Sequence, residues 1–282
     1  MNCPKCATPV QNSLRNCPAC ETDVGFPNVR AAQKSKNIDA LQERVKEAEV
    51  VARARKCDSI LNDFGNAVSL SKAVFCRNLS CLLRVINSDS ELINTYYKQV
   101  RSKQRQPENN DWDASRGAVD SKLFPNYHDE IHCAYLTVDN DILESYGDYG
   151  FILKESAIAE RATVFEENAI VFCEKHGVTV GRKPIPDGYR AVWDDRKRLA
   201  IAKLHSKFDL TTKKEDFPKI LFDKTEENGS ADFIEVHIYG TLHRKSFECI
   251  LGKSPKKKAE KVMFKSLQEK LKKEGIPLEA IK

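Results

Sequence analysis

A stretch near the end of the chain combines residue types that could do chemistry. Residues 232–240 read DFIEVHIYG, and their alternation is typical of a β-strand. One face of this strand would be an ordinary core face, formed by Ile234, Val236 and Ile238. The other face would place a carboxylate and an imidazole between two aromatic rings: Phe233, Glu235, His237 and Tyr239. A catalytic acid is one interpretation of this face, and a solvated edge strand that includes two aromatic residues is the alternative.

Four cysteines at the start of the chain have the spacing of a metal site. CPKC at 3–6 and CPAC at 17–20 form C-x2-C-x10-C-x2-C. Two thiolates two residues apart hold one side of a tetrahedral zinc ion, and a second pair completes it. A redox or incidental use of two such pairs this close together is the alternative. The pattern predicts one structural Zn2+ bound by Cys3, Cys6, Cys17 and Cys20, which would stabilise a module too small for its own core.

The composition and hydropathy of the chain limit the class of protein to which it can belong. The chain has 282 residues, of which 41% are hydrophobic and 31% charged, as in a globular protein. No run of about 18 apolar residues occurs, and the N-terminus lacks an apolar signal segment, so we expect a cytoplasmic protein without a membrane partner. Disulfides are rare in that compartment. The remaining cysteines are therefore expected to be small packing residues without a catalytic role: Cys57, Cys76, Cys81, Cys133, Cys173 and Cys249.

The patterning divides the chain into four segments. A zinc ribbon at 1–25 precedes a helical connector at 26–69, a main domain at 70–252 and a lysine-rich helix at 253–282. Apolar residues recur in the connector at three- and four-residue steps, which favours a helix packed on one side over a dimeric coiled coil: Ile38, Leu41, Val45, Ala48 and Ala52.

The main domain mixes predicted strands and helices without regular alternation, which predicts an α+β fold. The predicted strands are AVFC, IHCAYLTV, YGFILK, AIVFC and FIEVHIYG. The predicted helices are LSCLLRVI, ELINTYYKQV and WDDRKRLAIAKLHSKF, and the predicted loops are QPENNDWDASRG and DKTEENGSAD. Neither GxGxxG nor GxxxxGK[ST] occurs, so the commonest dinucleotide and P-loop sites are excluded.

The last segment carries the basic charge of the chain. Residues 253–282 contain ten Lys and four Glu, a balance of +6, whereas the rest of the chain contains 36 basic and 37 acidic residues. A narrow apolar stripe is predicted on this helix: Val262, Met263, Leu267 and Leu271. The helix either binds RNA, DNA, an acidic protein or an anionic membrane, or packs on the domain through that stripe.

Three further stretches contain candidate site residues. SKAVFCRNLSCLLRVI at 71–86 places Arg77 just after a short strand. The stretch at 129–155 contains His132 in an apolar strand and the turn Tyr146-Gly147. ERATVFEEN at 160–168 holds Arg161, Thr163 and Asn168. Each has an ordinary alternative, namely a core histidine, a turn, or an arginine paired with a nearby glutamate.

Taken in order, these stretches resemble the ADP-ribosyltransferase toxins of bacteria and phage over about residues 70–252. In that superfamily a basic residue or His near the first strand holds NAD, a YG-x-hydrophobic-x-L-K stretch leads into R-x-T, and a later strand carries the catalytic acid. The chain departs from the family pattern at His237, where Gln or Glu is usual, and it lacks the Ser-Thr-Ser segment of one large subgroup. The subgroup and the acceptor therefore stay open.

The resemblance implies a split β-sandwich with peripheral helices, NAD as co-substrate and Glu235 as the catalytic acid. Arg77 or His132 would bind NAD, together with the segments that contain Gly147, Arg161 and Thr163. The nicotinamide ring would stack on an aromatic residue, with Tyr146 as the first candidate and Tyr239 as the second. His237 would contact the acceptor or tune the acid.

The implied function is that of an intracellular toxin or defence effector that transfers ADP-ribose to a macromolecule. The ribbon and the lysines favour a nucleic-acid acceptor such as RNA, as in some toxins of antiphage toxin–antitoxin–chaperone systems, with protein as a second acceptor class. A neutralising antitoxin or inhibitor protein would be required. The alternatives are an NAD glycohydrolase and a non-catalytic zinc-ribbon adaptor that binds nucleic acid.

Overall fold

The structure is a computed structural model that describes residues 1–88, 90–104, 106, 111–178, 183–224 and 231–281, without the side chains of 111–114. Within these ranges the helices are α1 Pro27–Ala32, α2 Ser35–Ala54, α3 Asp58–Ser69, α4 Leu79–Asn87, α5 Tyr96–Arg101, α6 Asp111–Leu123, α7 Glu155–Ile158, α8 Ala169–Lys175, α9 Arg196–Leu204, α10 Phe217–Leu221 and α11 Lys258–Lys273. The strands are β1 Lys72–Arg77, β2 Leu92–Ile93, β3 Ile131–Thr137, β4 Tyr149–Leu153, β5 Ala162–Phe165, β6 Arg190–Val192, β7 Glu235–Tyr239, β8 Leu242–His243, β9 Phe247–Gly252 and β10 Leu278–Glu279. The mixture of a large sheet with many helices confirms the α+β class.

Eight strands form one sheet, which divides into two halves at the junction of β1 and β3. The strand order is β10-β9-β4-β1-β3-β7-β5-β6. Residues Lys72–Val74 of β1 pair with Tyr135–Thr137 of β3. Beyond that point β1 stays paired with β4 as far as Arg77, and β3 stays paired with β7 as far as Ile131. The described ladder between β1 and β3 therefore ends before Arg77, and the two halves separate towards that end.

The two faces of the sheet have different covers. Ile234, Val236 and Ile238 of the β7 segment are fully buried in the largest apolar cluster, and we call their side the core face. Residues from α2, α3, α4, α9 and α11 pack in that cluster. Glu235 and His237 lie on the opposite side, which we call the acid face. The predicted alternation of residues 232–240 is therefore confirmed.

The connector packs on the main domain through its predicted stripe. Leu41, Val45, Ala48 and Ala52 are buried in the same cluster as the sheet, whereas Ile38 is 40% exposed. The segment is helical as predicted, but it forms three helices, α1 to α3. Because the stripe is buried within the chain, it cannot also form the seam of a dimeric coiled coil.

Two segments differ from the prediction because local caps decide their structure. AIVFC was predicted as a strand and forms most of α8, since the Asn168 side chain accepts hydrogen bonds from the backbone N–H of Ile170 (3.0 Å) and Val171 (3.4 Å). ELINTYYKQV was predicted as one helix and divides into β2 and α5, with Thr95 as the N-cap of α5.

The predicted loop at 106–117 is helical from Asp111 onwards. Residues 107–110 and 225–230 of the two predicted loops lie outside the described residues.

The lysine-rich segment is built into the sheet and the core. Its strand β10 pairs in parallel with β9, and α11 buries Phe264, Leu267 and Leu271. The predicted stripe is wrong for Val262 and Met263, which are 70% and 45% exposed, and Phe264 takes their place. Among the described helices, none combines the length and apolar character needed to cross a bilayer.

The docking of α11 predicts a clear difference between two truncations on the same helix. Leu267→Ala should reduce the free energy of unfolding by about 2–5 kcal/mol, because Leu267 is fully buried and its loss leaves a cavity. Val262→Ala should change it by less than about 0.5 kcal/mol, because that side chain is mostly in solvent. Urea denaturation of both variants measures this. Equal effects would show that α11 is not packed as described.

Candidate functional site

The four N-terminal cysteines come together as one cluster that could bind a metal ion. Their sulfur atoms all lie within 4.8 Å of one another, with 3.6 Å between Cys3 and Cys20 and 3.5 Å between Cys6 and Cys17. Tetrahedral sulfur ligands about 2.3 Å from zinc are roughly 3.8 Å apart, so the set is close to the size of such a site. Each CxxC pair forms the same turn, in which the N–H of the fourth residue after the first cysteine donates to that cysteine's carbonyl.

Glu235 is buried and oriented, which excludes the solvated edge strand. Strand β7 lies inside the sheet, between β3 and β5, and Glu235 is 4% exposed. Its Oε2 atom accepts a hydrogen bond from the backbone N–H of Ala169 (3.1 Å) and lies 2.9 Å from Nε2 of His237. The carboxylate is thus held by two protein groups, and its position is set before any ligand binds.

A thiol completes a cluster of three reactive side chains on the acid face. Cys133 of β3 lies directly opposite His237 in the register of β3 and β7. The Cys133 sulfur, a Glu235 oxygen and a His237 nitrogen all lie within 4.8 Å of one another. Burial, and next the charge of Glu235, raise the pKa of the Cys133 thiol well above its usual value.

Helix α6 supplies the polar and aromatic cover of this cluster. Arg116 pairs with Asp120 at 3.5 Å, and Tyr97 donates a hydrogen bond to Asp120 at 2.7 Å. Burial raises the pKa of Asp120. Just after α6, the Phe124 ring stands edge-on to His237, with 4.8 Å between centroids. The acid face therefore carries a cation, Arg116, whose side chain keeps 37% exposure.

Tyr146 is the predicted aromatic residue that the structure brings to Glu235. Its ring packs edge-on against Phe233, and its hydroxyl accepts a hydrogen bond from the Asn168 amide at 3.5 Å. Burial, followed by the charge of Glu235, raises the pKa of Tyr146 to about 12. Tyr146 is also 51% exposed, so its ring remains accessible to a ligand. Gly147 follows it with φ +146, and its Cα lies against the backbone of Arg77.

Arg77 and His132 are not brought together with Glu235. Both lie on the core face: Arg77 stacks over the Phe75 ring at 5.1 Å, and His132 is opposite Ile238 and 2% exposed. Burial, and next the positive charge of Arg77, lower the pKa of His132 to about 3. His132 and Arg77 are kept apart from Glu235 because successive side chains of a strand point to opposite faces of the sheet.

The other predicted residues have mainly structural contacts. Arg161 donates hydrogen bonds to the carbonyls of Ala157, Tyr239 and Thr241. Its side chain therefore joins α7 to the end of β7 and the residues that follow it. Thr163 lies on the acid face, opposite His237, and is buried. Tyr239 is four residues along the strand from Glu235, roughly 13 Å away, and its ring packs on Phe26 instead.

No protein-family model matches this chain, and no curated protein matches it at a significant level.

Sequence reasoning missed the residues that α6 and β3 contribute. Arg116 and Asp120 lie in a helix with too little apolar periodicity to predict, and the apolar surroundings of Cys133 in the sequence favour a packing role. The one usable signal was the alternation of β3, because Cys133 lies one residue from His132 and must therefore face the other way. Nothing in the sequence alone pairs it with His237.

Proposed function

We propose that this protein is an NAD-dependent ADP-ribosyltransferase with Glu235 as its catalytic acid. The observation that carries the proposal is the buried, doubly held carboxylate of Glu235 beside the half-exposed Tyr146. The bond between nicotinamide and ribose breaks with oxocarbenium character. A fixed carboxylate beside the ribose stabilises that positive charge, and fixed groups of this kind contribute ~10²–10³ in rate.

The neighbouring residues fit separate parts of NAD. Tyr146 offers a ring for stacking on nicotinamide, and Arg116 is the acid-face cation for the diphosphate. Arg77 and His132 are not needed for this arrangement. Because Glu235 is 4% exposed, side chains that cover it have to move before the ribose can reach the acid. The separation of the sheet halves beyond Val74 agrees with the split sandwich of this superfamily.

The proposed acceptor is nucleic acid, and RNA is favoured. Lysines on and next to α11 are exposed, among them Lys256, Lys258, Lys261 and Lys265. Such lysines bind phosphates without reading sequence. A protein acceptor is the less favoured class. An active transferase of this kind, acting in the cytoplasm, would need a neutralising protein partner in its own host.

We also propose that the metal of the four-cysteine cluster is a structural zinc ion. Chelation of the metal, or Cys17→Ser, should make the ribbon at 1–25 sensitive to trypsin at Lys5 and Arg15, since the only apolar residues packed with its cysteines in one cluster are Val10 and Val24, too few to hold the module together. Mass spectrometry of the digest measures the cleavage, and the rest of the chain should stay intact. Cys81→Ser, which alters a thiol outside the module, is the control. A ribbon that stays protected without metal would contradict the zinc assignment.

The experiment that tests the function uses NAD labelled on its adenylate half. Wild-type protein and Glu235→Gln are incubated with cell extract, and each sample is divided between RNase and protease treatment. Label that requires Glu235 and is removed by RNase supports transfer to RNA. Sensitivity to protease alone moves the acceptor to protein, and free ADP-ribose without labelled polymer identifies a glycohydrolase. No consumption of NAD overturns the proposal.

The second candidate is a non-catalytic adaptor that binds nucleic acid through the ribbon and α11. The exposed lysines favour it independently of Glu235. In this case binding to RNA should weaken steeply with salt, and Glu235→Gln should leave both binding and biological effect unchanged.

A further inference from the structure

The acid face holds three side chains that are all metal ligands by type. Cys133 comes from β3, and Glu235 and His237 come from β7, with all three on one side of two neighbouring strands. Their ligand atoms lie within 4.8 Å of one another, and Glu235 Oε2 and His237 Nε2 are 2.9 Å apart. They are separate from the four-cysteine cluster at the N-terminus.

We propose that Cys133, Glu235 and His237 bind a second zinc ion. One sulfur, one nitrogen and one oxygen ligand suit zinc, whereas magnesium and calcium prefer oxygen alone. Zinc takes these ligands at about 2.0–2.3 Å, which places them roughly 3.2–3.7 Å apart. The carboxylate and imidazole need to separate by a few tenths of an ångström, and the thiol needs to approach by about 1 Å at most. Three protein ligands leave the fourth position for water.

The surroundings of the three ligands fit a bound cation. When zinc binds, the Cys133 thiol releases its proton to solvent, so that one thiolate and one carboxylate neutralise the 2+ charge. Arg116 also hydrogen-bonds the Cys133 side chain, and its positive charge is offset by its pairing with Asp120. The N–H of Ala169 holds the Glu235 carboxylate from outside, as outer hydrogen bonds do at metal sites. Phe124 and Phe165 flank the His237 ring and hold it in place beside Glu235.

Zinc at this position would act as an inhibitor, a consequence that rests on the proposed function. A carboxylate that binds zinc has lost the negative charge that would stabilise the ribose cation. Metal binding and catalysis by Glu235 therefore exclude each other, and free zinc would switch the transferase off.

The first test counts metal and does not depend on activity. Full-length protein is stripped, reloaded with zinc, desalted and analysed for zinc per chain. We expect two for wild type and one for Cys133→Ala, with two again for Cys173→Ala, a control thiol in α8 that is not among the three ligands. His237→Gln, an independent removal of a ligand, should also give one. Circular dichroism confirms that each variant is folded. One zinc per wild-type chain, or two in folded Cys133→Ala, would overturn the proposal.

The second test compares the rate of NAD consumption with and without zinc within each variant. Zinc should reduce this rate at least tenfold in wild type and in Cys173→Ala, and less than twofold in Cys133→Ala. Equal inhibition of wild type and Cys133→Ala would overturn inhibition through this site. If no variant consumes NAD, the proposed function fails, and the zinc count still decides whether the site exists.

Discussion

Glu235→Gln is expected to slow release of nicotinamide from NAD by ~10²–10³ while leaving the fold intact. Glutamine has the same shape, and its amide oxygen can still accept the hydrogen bond from Ala169 N–H. What it lacks is the negative charge that would stabilise the ribose cation. The rate is measured by chromatography of nicotinamide, and the melting temperature reports the fold.

The matched control is Glu248→Gln, which removes a carboxylate from another strand of the same sheet. Glu248 lies on β9, is 43% exposed and pairs with Lys72 at 2.9 Å. Exposed pairs of this kind contribute about 0–1 kcal/mol, so both rate and stability should match wild type. If Glu235→Gln also retained the wild-type rate, the assignment of the catalytic acid would be wrong.

Gly147→Ala is expected to cost about 3–5 kcal/mol in the free energy of unfolding. Gly147 has φ +146 and ψ 155, a backbone conformation that is essentially restricted to glycine. A Cβ atom there would lie 2.6 Å from the carbonyl carbon of Arg77 and 2.7 Å from its Cα and N. These are backbone atoms of β1, so relief requires β1 or the Tyr146 turn to shift. Urea denaturation measures the loss.

Gly275→Ala separates the cost of backbone strain from the cost of steric contact with Arg77. Gly275 also has a positive φ, +67, but no atom lies within 4 Å of a Cβ built there. Its replacement should therefore cost only about 1 kcal/mol, from backbone strain alone. If both variants lost the same amount, contact with Arg77 would contribute nothing, and the position of the Tyr146 turn would need revision.

The position of the Tyr146 turn also links stability to the proposed site. The turn lies against Arg77, the last residue of β1, at the end where the halves of the sheet separate. Tyr146 itself reaches Phe233 and Asn168 on the other half. A displaced turn would therefore move the ring proposed to stack on nicotinamide.

Several features followed from the sequence because they depend on local spacing. The two CxxC pairs determine the ribbon, since each pair forms its own turn and needs only the other pair. The alternation of residues 232–240 determines which residues share a face with Glu235. The helical periodicity of the connector predicts the burial of Leu41, Val45, Ala48 and Ala52, though not the exposure of Ile38, because these positions recur on one side of a helix whatever it packs against.

Only the tertiary structure decided which distant residues meet. Arg77 and His132 lie on the core face, opposite to Glu235. Which residues of β1 and β3 share a face with Glu235 depends on the register of these strands in the sheet, and short motifs do not encode that register. Cys133 and Arg116 reach the acid because β3 pairs with β7 and because residues next to α6 pack on His237. The apolar run at 169–173 became a helix through one cap at Asn168, and that helix gives Glu235 its backbone hydrogen bond. Glu235 could be proposed as the acid from the sequence. The residues around it could not, because strand pairing brings together residues about 100 positions apart, as with Cys133 opposite His237.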